Sequence, residues 1–250
     1  MNREGGGLGP WAEIYRRRAA LDPLRAVLDE GDPDNRKNVY VDALDRFWLR
    51  RALGPRRYGA AVDLGCGVGR LTGLLAGRSR LTIGVDASEA LLAAAALRSG
   101  RSAGLVRGAL GALPLPAGRS DLVVCWQVLL HLVGDSDMAA AIGEVRRLLA
   151  PGGRAVFAEH FAPGAETLRR EGVVYRSAPD VLGALRAAGL RVESAFAIRK
   201  SPSRLVHLVR RGRLPRPLWP LSARLERLLA FAGRAPPLYR DWLVVGRPST

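Results

Sequence analysis

Apolar residues follow two spacings along the chain, and the change between them separates two regions. Up to residue 54 the apolar positions recur at helical spacing, which predicts one helix over 11–28 and a second over 39–53. Beyond residue 55, short apolar runs of strand length alternate with helical segments. The predicted strands cover 60–64, 81–85, 105–106, 121–125, 155–158, 190–198 and 242–245. Strands that alternate with helices in this way form a mostly parallel sheet with helices on both faces.

This pattern predicts an N-terminal helical cap over 1–54 and an α/β domain over 55–250. The rhythm is interrupted at 201–240, where a proline-rich, basic segment contains an amphipathic helix over 221–231. The segment is too short to build a core of its own. We therefore interpret it as an insertion before the last of seven strands.

The composition is that of an ordinary globular protein, with 250 residues of which 48% are hydrophobic and 25% charged. The run Ala90–Leu97 is the nearest approach to a bilayer-spanning stretch, which needs about 20 apolar residues. The glycine-rich start lacks the apolar core of a secretory signal. Two cysteines supply no disulfide framework and fit a reducing compartment. We expect a cytoplasmic protein.

The net charge of +16 would normally suggest a nucleic-acid partner. However, 37 of the 39 basic residues are arginines, which is typical of a GC-rich genome, and half of the excess lies after residue 200. A basic tail can favour RNA, an anionic lipid or an acidic partner, and charge alone does not choose among them.

The most informative stretch is 62–70, VDLGCGVGR, where a predicted strand ends in three alternating glycines before a helix. Glycine is required where the backbone approaches a ligand or adopts a positive φ. Asp86 ends the next predicted strand, where a carboxylate can accept hydrogen bonds from ribose hydroxyls. Asp63 stands just ahead of the glycines, where it would repel a pyrophosphate but suit the amino group of a methionine moiety. The spacing therefore disfavours a dinucleotide.

This pattern resembles motif I of the class I S-adenosylmethionine-dependent methyltransferases. The resemblance extends over roughly 55–200 and implies the Rossmann-like methyltransferase fold, with S-adenosylmethionine as the cofactor. Further segments that resemble the family are 86–88 (DAS), 112–116 (ALPLP), 120–124 (SDLVV), 128–132 (VLLHL) and 148–154 (LLAPGGR). None of them specifies the methyl acceptor.

The resemblance also implies roles for single residues. Asp63 and residues 65–69 would hold the methionine part, Asp86 the ribose, and Ala87 and Leu110 would flank the adenine. At position 109 the family often has an aspartate that accepts a bond from the adenine amine, and this chain has alanine. Either the backbone replaces that bond, or the cofactor binds somewhat less tightly. The predicted cofactor-binding set is Asp63, Gly65, Cys66, Gly67, Gly69, Asp86, Ala87, Ala109, Leu110 and Gln127.

His131 follows the fourth predicted strand and His160 ends the fifth, at the edge where ligands bind in such sheets. Both are candidates for a general base, because histidine titrates near neutrality. For His131 the alternative is simple packing. Glu159 and His160 could each take part in catalysis or contact the substrate, or lie in a solvated loop. The histidines lack ligand spacing, and we predict no metal site.

These observations predict methyl transfer to an oxygen, nitrogen or carbon of a small molecule, in bacterial specialised metabolism. Nucleic acid is an unfavoured acceptor, because 125–128 lacks the Asn/Asp-Pro-Pro-Tyr/Phe motif typical of nucleic-acid amine methylation. The sequence also allows a protein acceptor, a membrane-soluble quinone-like or lipid acceptor, or a non-catalytic relative of the fold. The oligomeric state stays open.

The insertion helix has two interpretations. If it packs on the domain, Leu225, Leu228 and Phe231 should face the core or a pocket, and Arg224 and Arg227 should face water. If it lies on an anionic membrane surface instead, the apolar stripe should face outward. We favour the packed arrangement.

Overall fold

Three helices precede the sheet in the computed structural model, which describes residues 11–170, 172–232 and 237–249. They are α1 (Trp11–Arg18), α2 (Pro23–Val27) and α3 (Arg36–Leu53). The prediction of one helix over 11–28 is wrong. The Asp22 carboxylate accepts a bond from the backbone N–H of Leu24 at 2.9 Å, and Pro23 has no N–H to donate to a preceding turn, so a new helix starts here.

Strands and helices then alternate as predicted. The first half of the region contains β1 (Tyr58–Leu64), α4 (Thr72–Ala76), β2 (Ser79–Asp86), α5 (Glu89–Ser99), β3 (Gly104–Arg107), β4 (Ser120–Trp126), a 3₁₀ turn (Leu129–His131), α6 (Asp135–Leu148) and β5 (Leu149–Phe161). The second half contains β6 (Leu168–Arg170), β7 (Val173–Tyr175), α7 (Ala178–Ala187), β8 (Leu190–Ser201), α8 (Arg204–Arg210), a 3₁₀ turn (Arg216–Leu218), α9 (Trp219–Leu229) and β9 (Tyr239–Pro248). The sequence pattern missed the β6–β7 hairpin and α8, whose apolar runs are too short to show a period.

The main sheet has seven strands in the order β3-β2-β1-β4-β5-β9-β8. The pairs from β3 to β5 are parallel, and β9 runs antiparallel to both of its neighbours. This confirms the predicted Rossmann-like α/β fold. The strand order reverses between β1 and β4, which leaves a crevice at their carboxyl ends, the usual ligand position in open α/β sheets.

Both faces of the sheet are buried. Val123 and Phe157 belong to a core shared with α6 and α7, whereas the alternate positions Val124 and Val156 belong to a second core that includes Leu49 of α3. Helix α3 is therefore part of a layer on the sheet. The division into a cap over 1–54 and a domain over 55–250 stays a prediction.

Helix α9 differs in part from the favoured prediction. It buries Ser222, Ala223 and Glu226, so the prediction that its apolar stripe faces the core is wrong. Leu228 and Phe231 line an open surface cavity, whereas Leu225 is exposed and lines none of the larger cavities. Arg224 and Arg227 are exposed, as predicted.

The orientation of α9 has a polar cause. Within the protein, Glu226 accepts hydrogen bonds from the Ser203 and Tyr40 hydroxyls, and burying these partners fixes the rotation of the helix. Among the described helices, none combines the length and apolarity required to cross a bilayer.

Candidate active site

Two adjoining cavities lie at the carboxyl ends of the central strands. The glycine-loop cavity, of about 150 Å³, is lined by the turn after β1 and by the end of β2. The histidine cavity, of about 350 Å³, is lined by residues of α1, α3, β5, β8 and α8. The two cavities share Trp11, Tyr15, Val27, Gln127 and His131. A molecule in one can therefore reach a molecule in the other.

The glycine loop follows directly from β1. Gly65 and Gly67 have φ values of +66° and +53°, in the left-handed region that side chains disfavour. A Cβ on Gly67 would lie 2.9 Å from Cγ1 of Val27, so the loop and helix α2 pack too closely for any side chain. These glycines bring bare backbone to the cavity wall.

Asp86 connects the end of β2 to this loop. Its Oδ2 accepts a bond from the N–H of Gly67 at 2.9 Å, and its Oδ1 accepts one from the N–H of Ser88 at 2.8 Å. Burial raises the pKa of this carboxyl, and the backbone donors oppose the rise. A carboxylate oxygen can accept more than one bond, so each oxygen retains a lone pair for a ribose hydroxyl.

Most of the predicted cofactor residues line one cavity. Those on the wall of the glycine-loop cavity are Gly65, Cys66, Gly67, Asp86, Ala87, Ala109, Leu110 and Gln127. Asp63 lies outside it, where its Oδ2 accepts a bond from the Thr72 hydroxyl at 2.6 Å and burial raises its pKa to about 6. Gly69 packs against Ala95 of α5. Direct contact of Asp63 and Gly69 with the cofactor stays a prediction.

Arg70 and Trp11 lie on this wall and were not predicted, whereas Gln127 was predicted without its backbone conformation. Arg70 lines it and is held by Asp45 of α3, with Nη1 and Oδ2 2.9 Å apart. Gln127 has a φ of +58°, an unusual value for a residue with a side chain, and it lies where β4 enters the cavity. Its position in the sequence gave no sign of that strain. Trp11 lines the cavity because α1 packs over it, an arrangement that the sequence pattern does not show.

The residues present fit S-adenosylmethionine. The wall combines a carboxylate for the ribose, open backbone for the methionine part, and the apolar side chains of Ala87, Leu91 and Leu110 for the adenine. The free volume is below the ~300 Å³ at which ligand pockets usually begin. The adjoining histidine cavity adds about 350 Å³ to the space that opens from this wall.

His131 lies at the junction of the two cavities. Its Nε2 is 3.1 Å from the Tyr15 hydroxyl, and its Nδ1 has no partner among the described residues. Loss of hydration lowers the pKa of His131 to about 4, so the ring is neutral at pH 7. A base with this pKa removes protons poorly, but a neutral ring can still orient an acceptor. A catalytic role for His131 stays a prediction.

His160 has the arrangement of a supported general base. Its Nδ1 lies 2.5 Å from Oδ1 of Asp241, and Nε of Arg199 donates to the other carboxylate oxygen at 2.7 Å. Burial acts to raise the pKa of Asp241, but the guanidinium of Arg199 and the adjacent ring of His160 outweigh it and hold the pKa at about 2. The ionised Asp241 keeps a proton on Nδ1, which leaves the lone pair of His160 on Nε2. A catalytic role for His160 also stays a prediction.

Glu159, beside His160 on β5, has a different position. Its Oε1 accepts bonds from the N–H groups of Val128 and Leu129 at 2.9 and 3.0 Å, and the side chain is fully buried. Burial raises its pKa to about 7 against the effect of these bonds. Glu159 therefore holds the 3₁₀ turn that carries His131. It lies neither in a solvated loop nor where it could contact a substrate directly, the two positions considered from the sequence.

Cations outnumber carboxylates among the charged side chains that line the histidine cavity. Nζ of Lys37 lies 2.6 Å from Oδ2 of Asp29, the acidic residue on the described part of the wall. Lys200 donates to the backbone oxygen of Ala232. Three further lining cations are Arg18, Arg199 and Arg210, so five cations and one carboxylate line this described wall. Across the described ranges, no group of three or more His, Cys, Asp or Glu side chains is placed to bind a metal.

Known proteins resemble this chain in sequence and in fold. A family model described as a methyltransferase domain matches residues 61–153. A probable S-adenosylmethionine-dependent methyltransferase of Mycolicibacterium smegmatis is 32% identical over 190 residues, 67% of this chain and 72% of that protein. A 2-phytyl-1,4-naphtoquinone methyltransferase of Synechococcus elongatus is 30% identical over 172 residues, 62% of this chain and 71% of the relative.

Solved structures show the same fold. The N-methyltransferase NodS from Bradyrhizobium japonicum, in complex with S-adenosyl-L-homocysteine, has a TM-score of 0.63 and 19% identity, covering 96% of this chain and 98% of that one. At this level of identity the similarity establishes the fold and leaves the acceptor open.

Proposed function

The chain belongs to the class I S-adenosylmethionine-dependent methyltransferases, and on this premise we propose that its acceptor is a small molecule bound in the histidine cavity. When bound, the cofactor supplies a methyl group that is already activated for displacement. The observation that carries the proposal is the contact between the cavities: Gln127 and His131 line both. The histidine cavity, at about 350 Å³, is within the size range of small-molecule sites. A concave site of this size favours a small molecule over RNA or protein.

The main contribution of the protein is alignment. Holding two reactants in line can supply about 7–11 kcal/mol of the barrier. The second contribution is proton removal, for which His160 has the better geometry, because Asp241 orients the ring and stabilises the imidazolium that forms. The acceptor proton goes to Nε2 of His160. A base of this kind favours a hydroxyl acceptor, since a neutral amine already has a free lone pair for attack.

The charge of the cavity adds a preference for an anionic acceptor. Lys37 and Arg210 share the single carboxylate of Asp29, and Lys200 has only a carbonyl oxygen as its partner among the described residues. A carboxylate or phosphate on the acceptor would occupy the uncompensated positive field. The place of this reaction in bacterial specialised metabolism is part of the same proposal.

The test is a methyl-transfer screen with matched acceptor pairs. Hydroxybenzoic acids and phosphorylated phenols are compared with their neutral methyl esters and parent phenols, and S-adenosylhomocysteine formation is measured by mass spectrometry. We expect the anionic member of a pair to react at least about tenfold faster at low concentration. Lys200→Gln should reduce that preference, whereas Arg191→Gln at the other end of β8 should not. Turnover confined to the neutral members would contradict the anionic preference.

A membrane-soluble quinone-like acceptor is the second candidate. The quinone methyltransferase relative favours it, and so does an aromatic wall in which Tyr175 and Tyr239 stack with ring centroids 5.2 Å apart. A reduced naphthoquinone in the same screen separates the two candidates, because it is aromatic and carries hydroxyls but has no anionic group.

A further inference from the structure

Helix α9 presents an apolar surface to solvent. We define the α9 outer face as the exposed side chains of Leu218, Leu221, Leu225, Leu228 and Phe231, which are 47%, 62%, 41%, 76% and 62% exposed. They are five of the nine large apolar side chains exposed among the described residues, gathered within 14 positions. Residues 221, 225 and 228 have the spacing of a single helix face. Such clustering marks an interaction site rather than scattered surface residues.

The outward position of this face is fixed from the opposite side of the helix. Ser222 lies 3.0 Å from the Tyr40 hydroxyl, and Glu226 accepts from the buried Ser203 hydroxyl. Rotating the helix to bury its leucines would take Ser222 and Glu226 away from these hydroxyls and leave buried polar groups without partners. The leucines are therefore exposed by construction of the fold.

Charge narrows the choice of partner. Arg216, Arg224 and Arg227 are exposed beside the α9 outer face, and the acid of this helix, Glu226, is turned inward and is 1% exposed. The described part of this face thus carries cations without an exposed carboxylate. A second copy of the same face would be repelled, and an anionic partner would be attracted.

The shape of the face favours a bilayer over an acidic protein. Leu218, Leu221 and Leu225 line none of the larger cavities on the described surface, so they offer no groove to a partner chain. Leu228 and Phe231 border an open cavity that also includes Phe196. We propose that the α9 outer face docks on an anionic lipid bilayer, with Leu221, Leu225 and Leu228 among the acyl chains and the flanking arginines at the lipid phosphates. The proposal does not depend on which acceptor is methylated.

Co-sedimentation with lipid vesicles tests this surface directly. The full chain is mixed with vesicles of phosphatidylcholine alone or with about a third phosphatidylglycerol, at low and at high salt. We expect pelleting with the anionic vesicles that falls as salt rises. The double variant Leu221→Asp/Leu228→Asp should lose about tenfold or more in partitioning, since both changes place a charge where an apolar group would insert.

Matched controls come from helix α5 and the turn after it, which lie toward the opposite edge of the sheet. Leu97 is 89% exposed, so Leu97→Asp makes the same chemical change away from the α9 outer face and should leave partitioning unchanged. Arg224→Gln should weaken binding to anionic vesicles more than Arg101→Gln does. Calorimetric binding of S-adenosylhomocysteine verifies that each variant is folded.

Two results would overturn the proposal. One is a wild-type protein that stays in the supernatant with anionic vesicles at low salt, which would leave an acidic protein as the partner of this face. The other is a folded double variant that pellets as well as the wild type, because binding would then use a different surface.

Discussion

His160 and Asp241 are paired residues on adjacent antiparallel strands, and their side chains meet with Nδ1 and Oδ1 2.5 Å apart. The next strand continues the row, since Arg199 of β8 is the register partner of Asp241. A cation, a carboxylate and an imidazole thus cross three strands on one face of the sheet. The rigidity of the sheet fixes the orientation of the imidazole, where a loop would leave it variable.

Asp241→Asn should destabilise the protein, because it leaves the buried Arg199 without its counter-charge. Breaking a buried pair from one side costs about 3 kcal/mol or more, measured as the free energy of unfolding in denaturant at pH 7. The folded pKa of about 2 is below the usual 3.8, so the stabilisation is present above pH 4 and is lost as pH falls to 2. The difference in unfolding free energy between the variant and the wild type should therefore decrease from pH 4 to pH 2. The control is Asp34→Asn, which removes an exposed ion pair with Arg36 and should lower the unfolding free energy by less than about 1 kcal/mol.

His160→Gln should remove the general base while leaving the cofactor site intact. We expect turnover of a hydroxyl acceptor to fall by about 10²–10⁴-fold, with an unchanged dissociation constant for S-adenosylhomocysteine. His131→Gln should reduce turnover less, because the neutral ring of His131 is a weak base. Steady-state rates for both variants, with an acceptor found by the screen, decide between the two histidines. A larger loss in His131→Gln would reverse the assignment.

Glu159→Gln should change how stability depends on pH. Burial raises the pKa of Glu159 from 4.5 to about 7, so its contribution to stability is fully present below pH 4.5 and is lost as pH rises through 7. The loss amounts to about 3 kcal/mol, and an amide in the same place has no charge to bury. The unfolding free energy of the variant minus that of the wild type should therefore increase between pH 5 and pH 8.

The difference measurement is needed because His131 contributes with the opposite sign. Its pKa is lowered from 6.5 to about 4, so its contribution is lost as pH falls through that range. Both proteins contain His131, and the effect cancels in their difference. Parallel curves for the variant and the wild type would show that Glu159 titrates normally.

Asp86→Ala should weaken cofactor binding. The carboxylate anchors Gly67 and provides acceptors for the ribose, and losing such charge-assisted bonds costs about 1.5–3 kcal/mol. Calorimetry with S-adenosylhomocysteine should show a dissociation constant raised by about 10–100-fold, with no binding of NAD to either protein. Glu89→Gln, three residues along on exposed surface, is the matched control. Equal affinities for Asp86→Ala and the wild type would exclude the assigned role of Asp86.

Local sequence patterns predicted the strands of the sheet. The contacts of Asp241 and the orientation of α9 depend on residues far apart in the sequence, and these were not predicted. Each strand is visible as a short apolar run, and the glycine loop as a fixed spacing, because both depend on neighbours in sequence. Asp241 gave no such signal, since its contact with His160 exists only once β9 pairs with β5. The core-facing side of α9 was predicted wrongly for the same reason: its bonds to Ser203 and Tyr40 come from outside the helix, and the apolar pattern of the helix does not show them.

Helices α1 and α2 form part of the wall of both cavities, and this links release of the cofactor to the presence of the acceptor. Trp11 ties α1 to the β6–β7 hairpin by donating to the carbonyl oxygen of Gly172 at 2.7 Å, and Val27 closes over the glycine loop. Both occupants would therefore lie beneath the same two helices, and the demethylated cofactor would leave past side chains that also cover the acceptor. We expect the residence time of the demethylated cofactor, rather than the reactivity of the acceptor, to set the pace of turnover.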